Sequence, residues 1–229
     1  QGQQQFNRSI RVLCDESVSA PVKECAEQFE REMKVKVSIH STPGPDRNRS
    51  MANETLNPVP YDLDLSAGKP IEKVPSLNQV SCAFRSVVFA TRTDFSQDMA
   101  ELEQVFQNNL TYSTSADSTE EGRLLEHSLG KTNLWRKILS KRTKTFPSSK
   151  AAALQVASGK DLDGAFMWDF SARAFGLKIH RIKELKPASQ TFFARTSNSS
   201  QNRLSALQFA RFLSAPTKGQ FYFAKAGFV

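Results

Sequence analysis

The 229-residue chain has no apolar run that approaches the roughly 20 residues needed for a membrane-spanning helix. It also has few cysteines: Cys14, Cys25 and Cys82 lie far apart and form no C-x-x-C pair. Zinc sites and disulfide frameworks depend on characteristic cysteine spacings, so neither is predicted. Cys14 falls in an apolar strand pattern and Cys25 on the apolar face of a predicted helix, so we expect buried free thiols.

Histidine is equally scarce, and the sequence lacks a recognisable catalytic arrangement. His40, His127 and His180 lie far apart in the chain, and we predict that all three are ordinary surface or loop residues. No G-x-S-x-G elbow supports a hydrolase built on Ser17 and these histidines. The sequence therefore predicts a protein that is not an enzyme, and it indicates no metal and no other cofactor.

The charge of the chain is compatible with a nucleic-acid partner, but its distribution is not. The formal net charge is +8, from 31 basic and 23 acidic residues, and a basic excess can indicate nucleic-acid binding. The basic residues are dispersed among acidic ones, and no zinc-finger spacing or RNP-type aromatic motif accompanies them. We interpret them as solvated surface and predict no nucleic-acid partner.

The amino-terminal segment has the pattern of a strand, a helix and a second strand. Residues 9–14 and 35–39 are rich in aliphatic and β-branched side chains, as strands are. Between them, apolar residues recur at spacings of three and four, which marks one face of a helix: Val18, Val22, Cys25, Ala26, Phe29 and Met33. This order predicts two parallel strands joined by a right-handed crossover in an α/β fold.

Further strand patterns follow at residues 61–67 and 86–90, and a buried strand is predicted at 164–168. A segment rich in proline, glycine and asparagine at 41–50 predicts irregular structure at its start. Residues 113–119 are predicted to be a polar loop that leads into a helix, and residues 151–157 a short helix. The 39% hydrophobic content, with 17 phenylalanines, is sufficient for a buried core in one domain or in two of about 100 residues each.

The carboxy-terminal segment predicts two consecutive helices. An apolar-periodic helix stops at Ser214-Ala-Pro216, and a second short helix packs its aromatic residues and ends at Gly227-Phe228. Proline is tolerated in the first turn of a helix and glycine just past its end, so both boundaries have a physical cause.

Six segments, in chain order, resemble the periplasmic solute-binding proteins of the molybdate/tungstate/sulfate-binding type, which have the type 2 periplasmic binding protein fold. Inside the chain, the closest match is Leu154-Gln-Val-Ala-Ser-Gly-Lys-Asp-Leu-Asp-Gly-Ala-Phe-Met-Trp168, which resembles the family pattern A-L-x-x-V-x-x-G-x-A-D-x-G-x-V-Y. The other five segments are residues 10–22, 26–30, 61–68, 85–91 and 204–228. No segment is diagnostic alone, and it is their collinearity that carries the resemblance.

The resemblance implies an α/β protein of two lobes, each a mostly parallel sheet flanked by helices. Lobe I would comprise residues 1–85 together with 194–229, and lobe II, inserted into it, residues 86–193. Two hinge crossovers, near residues 84–91 and 190–196, would connect the lobes, and a ligand cleft between the lobes would close by hinge motion.

The same resemblance implies an extracytoplasmic function. The protein would act as a monomer in the periplasm or outside the cell, with its signal peptide already removed from the glutamine-rich start. It would bind a small molecule or small anion, with oxyanions among the candidates, and would deliver it to the membrane permease of an ABC-type transporter. A ligand-sensing module of the same fold without a transport role is the alternative.

Candidate ligand groups follow from the positions of the predicted strands and helices. Ligands of open α/β sheets gather at the carboxyl ends of the strands, where unpaired N–H groups of the following helices favour anions. The residues at these positions are Ser17, Ser41, Thr42, Thr119, Glu121, Ser149, Lys150 and Trp168.

Each candidate also has a purely structural interpretation. Ser17 and Ser149 are plausible helix caps, and Ser41 and Thr42 are plausible turn residues beside Pro43-Gly44. Trp168, in an apolar strand, is equally typical of a protein core.

The identity of the ligand stays open because the chain departs from the family pattern. It has Pro43-Gly-Pro45 where the oxyanion binders have a serine-rich turn, and Glu120-Glu121 where a small residue donates its backbone N–H. Trp168 replaces a tyrosine that is frequent in the family. Carboxylates close to a dianion would raise its free energy, so a ligand with a cationic or hydroxylated part is equally compatible with the sequence.

Overall fold

The computed structural model describes residues 8–42, 61–68, 78–198 and 200–229. The chain forms an α/β fold of two compact units. Unit 1 contains Gln1–Phe84 and Thr191–Val229, and unit 2 contains Arg85–Gln190. The irregular segment predicted to begin at residue 41 lies outside the described residues from position 43 to its end.

In unit 1, the predicted opening strand, helix and strand are present. They are β1 (Arg8–Asp15), α1 (Ser19–Met33) and β2 (Val35–Thr42), and a 3₁₀ turn over Glu16–Val18 precedes the helix. The third strand, β3 (Leu63–Gly68), pairs with β1 in parallel, as β2 does. The carboxyl ends of these three strands therefore lie at one edge of the sheet, with Asp15 in register with Thr42.

Two longer strands carry the chain from one unit to the other. The division between the units falls within β4 (Gln79–Thr91) and within β9 (Ser189–Thr196). The order of strands in unit 1 is β2-β1-β3-β9, with β9 antiparallel to β3. We retain as a proposal that the two units act as the ligand-binding lobes.

Unit 2 is built on a sheet of order β4-β7-β5-β6, with β8 also paired to β4. Strands β5 (Tyr112–Ser115), β6 (Lys144–Phe146) and β7 (Gly164–Trp168) are parallel, and β4 is antiparallel to β7. The strand β8 is Lys178–His180, and a 3₁₀ turn covers Lys183–Leu185. The helices are α2 (Leu102–Gln107), α3 (Glu120–Leu129), α4 (Asn133–Lys141), α5 (Ser149–Ala157) and α6 (Asp169–Ala174).

Two sequence predictions about polar residues were wrong. Residues 113–115 were expected in a loop, but they belong to β5 and are buried, because pairing with β6 and β7 on both sides makes β5 an inner strand of the sheet. His180 was expected at the surface, but it is buried: Met99 N–H donates to its Nδ1 at 3.3 Å, and its Nε2 lies 2.9 Å from Thr91 Oγ1. This burial lowers the pKa of His180 below its usual value.

The prediction for the cysteines is confirmed, since Cys14, Cys25 and Cys82 are all free and buried. Burial raises the pKa of both Cys25 and Cys82 to about 12, so their thiols stay protonated at neutral pH. Within residues 8–42, 61–68, 78–198 and 200–229, no helix combines the length and the apolar character needed to cross a membrane.

The two carboxy-terminal helices are α7 (Arg203–Ser214) and α8 (Gly219–Lys225). The first ends at Ser214, as predicted, and the second ends two residues before the predicted boundary at Gly227-Phe228. Both pack on α1 in unit 1. The ring of Phe29 in α1 lies 4.9 Å from that of Phe209 and 5.2 Å from that of Phe212. At the periphery, Lys218 and Lys225 form ion pairs with glutamates of α1. The first helix and the end of the chain therefore share one core.

Replacing Phe29 by alanine tests this shared core. We expect Phe29→Ala to lower the free energy of unfolding by about 3–5 kcal/mol, because it leaves a cavity between α1 and α7. The measurement is urea unfolding followed by circular dichroism. The matched control is Phe221→Ala in α8, whose side chain is 59% exposed and should change stability by less than about 1 kcal/mol. Equal losses in the two variants would contradict the packing of α7 on α1.

Candidate functional site

In unit 1, the predicted site residues lie where β1 and β2 end. The Asp15 carboxylate, and not Ser17, caps the turn that precedes α1: its Oδ1 accepts hydrogen bonds from the backbone N–H of Ser17 at 2.9 Å and from Ser17 Oγ at 2.6 Å. Ser17 itself is exposed. Its hydroxyl can therefore accept a hydrogen bond from a solute while it donates to Asp15.

Ser41 and Thr42 end β2 and point to opposite faces of the sheet, because successive side chains of a strand alternate. Ser41 is exposed, whereas Thr42 is buried. The hydroxyl of Thr42 has no hydrogen-bond partner among the described residues. A buried hydroxyl without a partner is costly, so Thr42 Oγ1 is a candidate for a group that a ligand completes.

In unit 2, Thr119 is the amino-terminal cap of α3. Its Oγ1 accepts a hydrogen bond from Gly122 N–H at 3.1 Å and donates to the carbonyl oxygen of Ala116 at 2.7 Å. A β-carbon at Gly122 would lie 2.3 Å from that carbonyl oxygen, so only glycine allows the first turn of α3 to approach the end of β5 this closely.

The close approach of α3 places Glu121 among buried hydroxyl groups. One oxygen of its carboxylate, Oε1, accepts hydrogen bonds from the hydroxyl of Ser115, at the end of β5, and from that of Ser149, the first residue of α5. Ser149 Oγ lies 2.5 Å from Glu121 Oε1. Ser149 Oγ itself accepts a hydrogen bond from the backbone N–H of Trp168 at 2.7 Å. Three sequence-predicted residues, Glu121, Ser149 and Trp168, are thus brought together at the carboxyl ends of β5 and β7.

Burial raises the pKa of Glu121 from 4.5 to about 7. The hydrogen bond from Ser149 and the charge of Arg85 act in the opposite direction, and the charge of Glu120 adds to the increase. The carboxyl group is therefore protonated to a larger extent near neutral pH than that of an exposed glutamate.

Sequence reasoning missed Arg85, the central cation of this cluster. Its guanidinium group is 1% exposed and lies 4.1 Å above the ring of Trp168. It donates to Glu120 Oε2 at 2.7 Å and to Gln190 Oε1 at 2.6 and 2.9 Å, and Gln190 in turn donates to Glu120 at 2.8 Å. The available signal was an arginine in the middle of β4, two residues before its apolar run Val87–Ala90.

The remaining sequence-predicted residues occupy different environments. Lys150 is exposed in the first turn of α5, whose cap is Ser148. The ring of Trp168 belongs to the apolar core of unit 2. Within the described part of the chain, no group of three or more histidine, cysteine, aspartate or glutamate residues is arranged to hold a metal ion.

Residues 10–229 match the sequence model of a family described as bacterial extracellular solute-binding protein. No curated protein sequence matches the chain significantly.

The fold is similar to those of several solved binding proteins of low sequence identity. One is the substrate-binding domain assigned to a molybdenum ABC transporter of Clostridium difficile, with 18% identity and a TM-score of 0.76 over 97% of this chain and 98% of that one. Iron-bound HitA of Pseudomonas aeruginosa has 14% identity and a TM-score of 0.70 over 95% of this chain and 84% of that one. PstS of Borrelia burgdorferi has 11% identity and a TM-score of 0.62 over 97% of this chain and 98% of that one. At these identities the likeness establishes the fold and leaves the solute open.

The raised pKa of Glu121 predicts a pH-dependent stability. Between about pH 4.5 and 7 the unfolded chain binds fewer protons at this position than the folded protein, so the free energy of unfolding falls as the pH rises through 7. Glu121→Gln removes this loss. We expect the stability of the variant relative to the wild type to increase by about 2 kcal/mol between pH 5.5 and 8.5, as measured by urea unfolding.

The control is Glu126→Gln, which removes a charge from an exposed position of the same helix and should give a curve parallel to that of the wild type. His180 is present in all three proteins, so its contribution to the pH dependence of stability cancels when the variants are compared with the wild type. A Glu121→Gln difference that does not change with pH would contradict the assignment.

Proposed function

Because the chain belongs to the bacterial extracellular solute-binding proteins, we propose that it captures a small solute outside the cytoplasm for the membrane permease of an ABC-type transporter. The carrying observation is the family match over residues 10–229, with six collinear motifs and two compact units joined through β4 and β9. The protein would bind without chemical conversion, as a monomer and without nucleic acid.

The proposed ligand groups are those at the carboxyl ends of the strands in each unit. In unit 1 they are Ser17, Ser41 and Thr42, and in unit 2 they are Thr119, Glu121, Ser149, Lys150 and Trp168. The strongest single support is the buried hydroxyl of Thr42, which has no hydrogen-bond partner in the described chain. The hydroxyls of Thr119 and Ser149 already donate hydrogen bonds within the protein, which supports a structural role for these two side chains. At these two positions the solute would then be bound by backbone groups.

The charges around these groups bear on the class of solute. Helix amino termini favour anions, and molybdenum, iron and PstS appear in the names of the similar structures. Against an anion stand the carboxylates of Asp15, Glu120 and Glu121, although Arg85 is paired with Glu120 and Lys150 adds a positive charge. Against a bare metal ion stands the lack of a metal-holding cluster in the described ranges. A neutral or partly cationic solute agrees best with these charges.

A ligand screen tests the proposed function. The purified protein would be heated with molybdate, sulfate, phosphate, ferric citrate, each of the twenty amino acids and spermidine, and its melting temperature recorded. A compound present at 100 times its dissociation constant adds about 2.7 kcal/mol to the stability, which is readily measured. We expect one chemical class to raise the melting temperature and to bind with 1:1 stoichiometry in calorimetry. No shift with any compound would contradict the proposal.

Two threonine-to-valine variants test the role of Thr42 in binding the compound found. Thr42→Val removes a hydroxyl that has no partner among the described residues, so it should leave the stability of the free protein unchanged or slightly higher. It should weaken binding about fivefold, equivalent to about 1 kcal/mol for one lost hydrogen bond.

The matched control is Thr196→Val. Thr196 is also buried in unit 1, its Oγ1 also has no partner in the described chain, and it is in register with Leu63 at the start of β3. Its replacement should leave affinity unchanged. Equal affinities of the two variants for the compound would remove Thr42 from the site.

A further inference from the structure

The hydroxyl groups of Ser115 and Ser149 form a site of the kind that binds a small anion. Both side chains are nine-tenths or more buried, and both donate to the same oxygen atom. That oxygen lies beside the first turns of α3 and α5, two helices of ten and nine residues. The amino terminus of a helix carries a positive partial charge. Hydroxyl donors and helix amino termini together favour a carboxylate, phosphate or sulfate oxygen at this point.

The anion at this point is supplied by the protein itself. The oxygen that accepts both hydroxyl protons is Oε1 of Glu121, whose side chain is 6% exposed. The second acidic residue, Glu120, is similarly engaged, because Arg85 and Gln190 both donate to its carboxylate. The donors of this cluster are thus directed at carboxylates of the chain.

A third hydroxyl group of the same strand is buried without a partner in the described chain. Ser113 lies two residues before Ser115 and therefore on the same face of β5. It is fully buried, and its hydroxyl has no hydrogen-bond partner in the described parts of the chain. The face of β5 that carries Ser115 therefore carries a second buried hydroxyl, at Ser113.

We infer that Glu121 is the specificity-determining residue of unit 2, since its carboxylate occupies the position where an oxyanion would accept the protons of Ser115 and Ser149. A divalent oxyanion brought there would have to displace a carboxylate and remain beside its charge. The part of the natural solute that meets unit 2 is then neutral or positively charged. This inference rests on the proposed function for the placement of the solute, but the occupancy of the anion position by Glu121 can be tested separately.

Shortening the side chain tests the occupancy. In Glu121→Ala the hydroxyls of Ser115 and Ser149 lose their acceptor, and the space of the carboxylate becomes available. We expect this variant to have a lower melting temperature than the wild type, and we expect sulfate or molybdate to restore it at pH 8.5. By calorimetry, its affinity for these two anions should exceed that of the wild type at least tenfold. Glu121→Ser is the second variant if the alanine protein does not fold.

Three controls separate occupancy from a general change in charge. Glu120→Ala removes the neighbouring charge while Glu121 keeps its hydroxyl partners, so it should gain less than a third of the increase in affinity. Glu121→Gln removes the charge but leaves an amide in place, so it should also gain little. The double variant Glu121→Ala with Ser149→Ala should lose most of the gained affinity, because one of the two donors is gone.

The outcomes also separate this inference from the proposed function. Wild-type protein that binds molybdate or sulfate as tightly as Glu121→Ala would overturn the inference, as would an equal gain in Glu120→Ala or no gain at all. Capture of an amino acid or spermidine by the wild type without an anion gain in Glu121→Ala would leave the proposed function intact and remove the inference. If Glu121→Ala gains affinity for these anions while the wild type binds no compound of the panel, the inference would stand and the proposed function would be contradicted.

Discussion

Two buried hydroxyl groups donate to one carboxylate oxygen of Glu121, and the arrangement of one edge of unit 2 depends on this contact. The contact requires α3 to begin close to the end of β5, which Gly122 permits because a β-carbon there would collide with Ala116. Ser149 is fixed by the same contact and accepts the N–H of Trp168, whose ring lies under Arg85. A buried carboxylate without these donors would be costly, so the polar groups of this edge stabilise one another.

The corresponding edge of unit 1 has a different character. Asp15 is engaged by Ser17, but the hydroxyl of Thr42 is buried without a partner among the described residues. In unit 2, the hydroxyls of Ser115 and Ser149 are satisfied by Glu121, although the hydroxyl of Ser113 also has no partner in the described chain. Under the proposed function, we expect the hydroxyl of Thr42 to be a group that the solute completes in unit 1.

Much of the fold followed from local sequence patterns. The periods of α1, β1 and β2, the buried strand of residues 164–168 and the proline and glycine at the ends of α7 and α8 are all recorded in neighbouring residues, so they were predictable. Residues 113–115 of β5 were not predicted as a strand. Ser113, Thr114 and Ser115 have the composition of a loop, and only tertiary packing makes them a buried strand. The same long-range packing decides that Glu121 reaches Ser115 and Ser149 and that Arg85 covers Trp168. No spacing in the sequence encodes these contacts, which explains why Arg85 and Ser115 were missed while Glu121, Ser149 and Trp168 were identified as candidates.

The claim that a solute-binding protein of this fold has closed its unit 2 anion position with its own glutamate is tested most directly by a crystal structure with the captured solute. We expect the solute to contact Thr42 Oγ1, while Glu121 Oε1 still accepts the hydroxyl protons of Ser115 and Ser149. A solute oxyanion that accepts both of these protons, with the Glu121 side chain turned away, would contradict the claim.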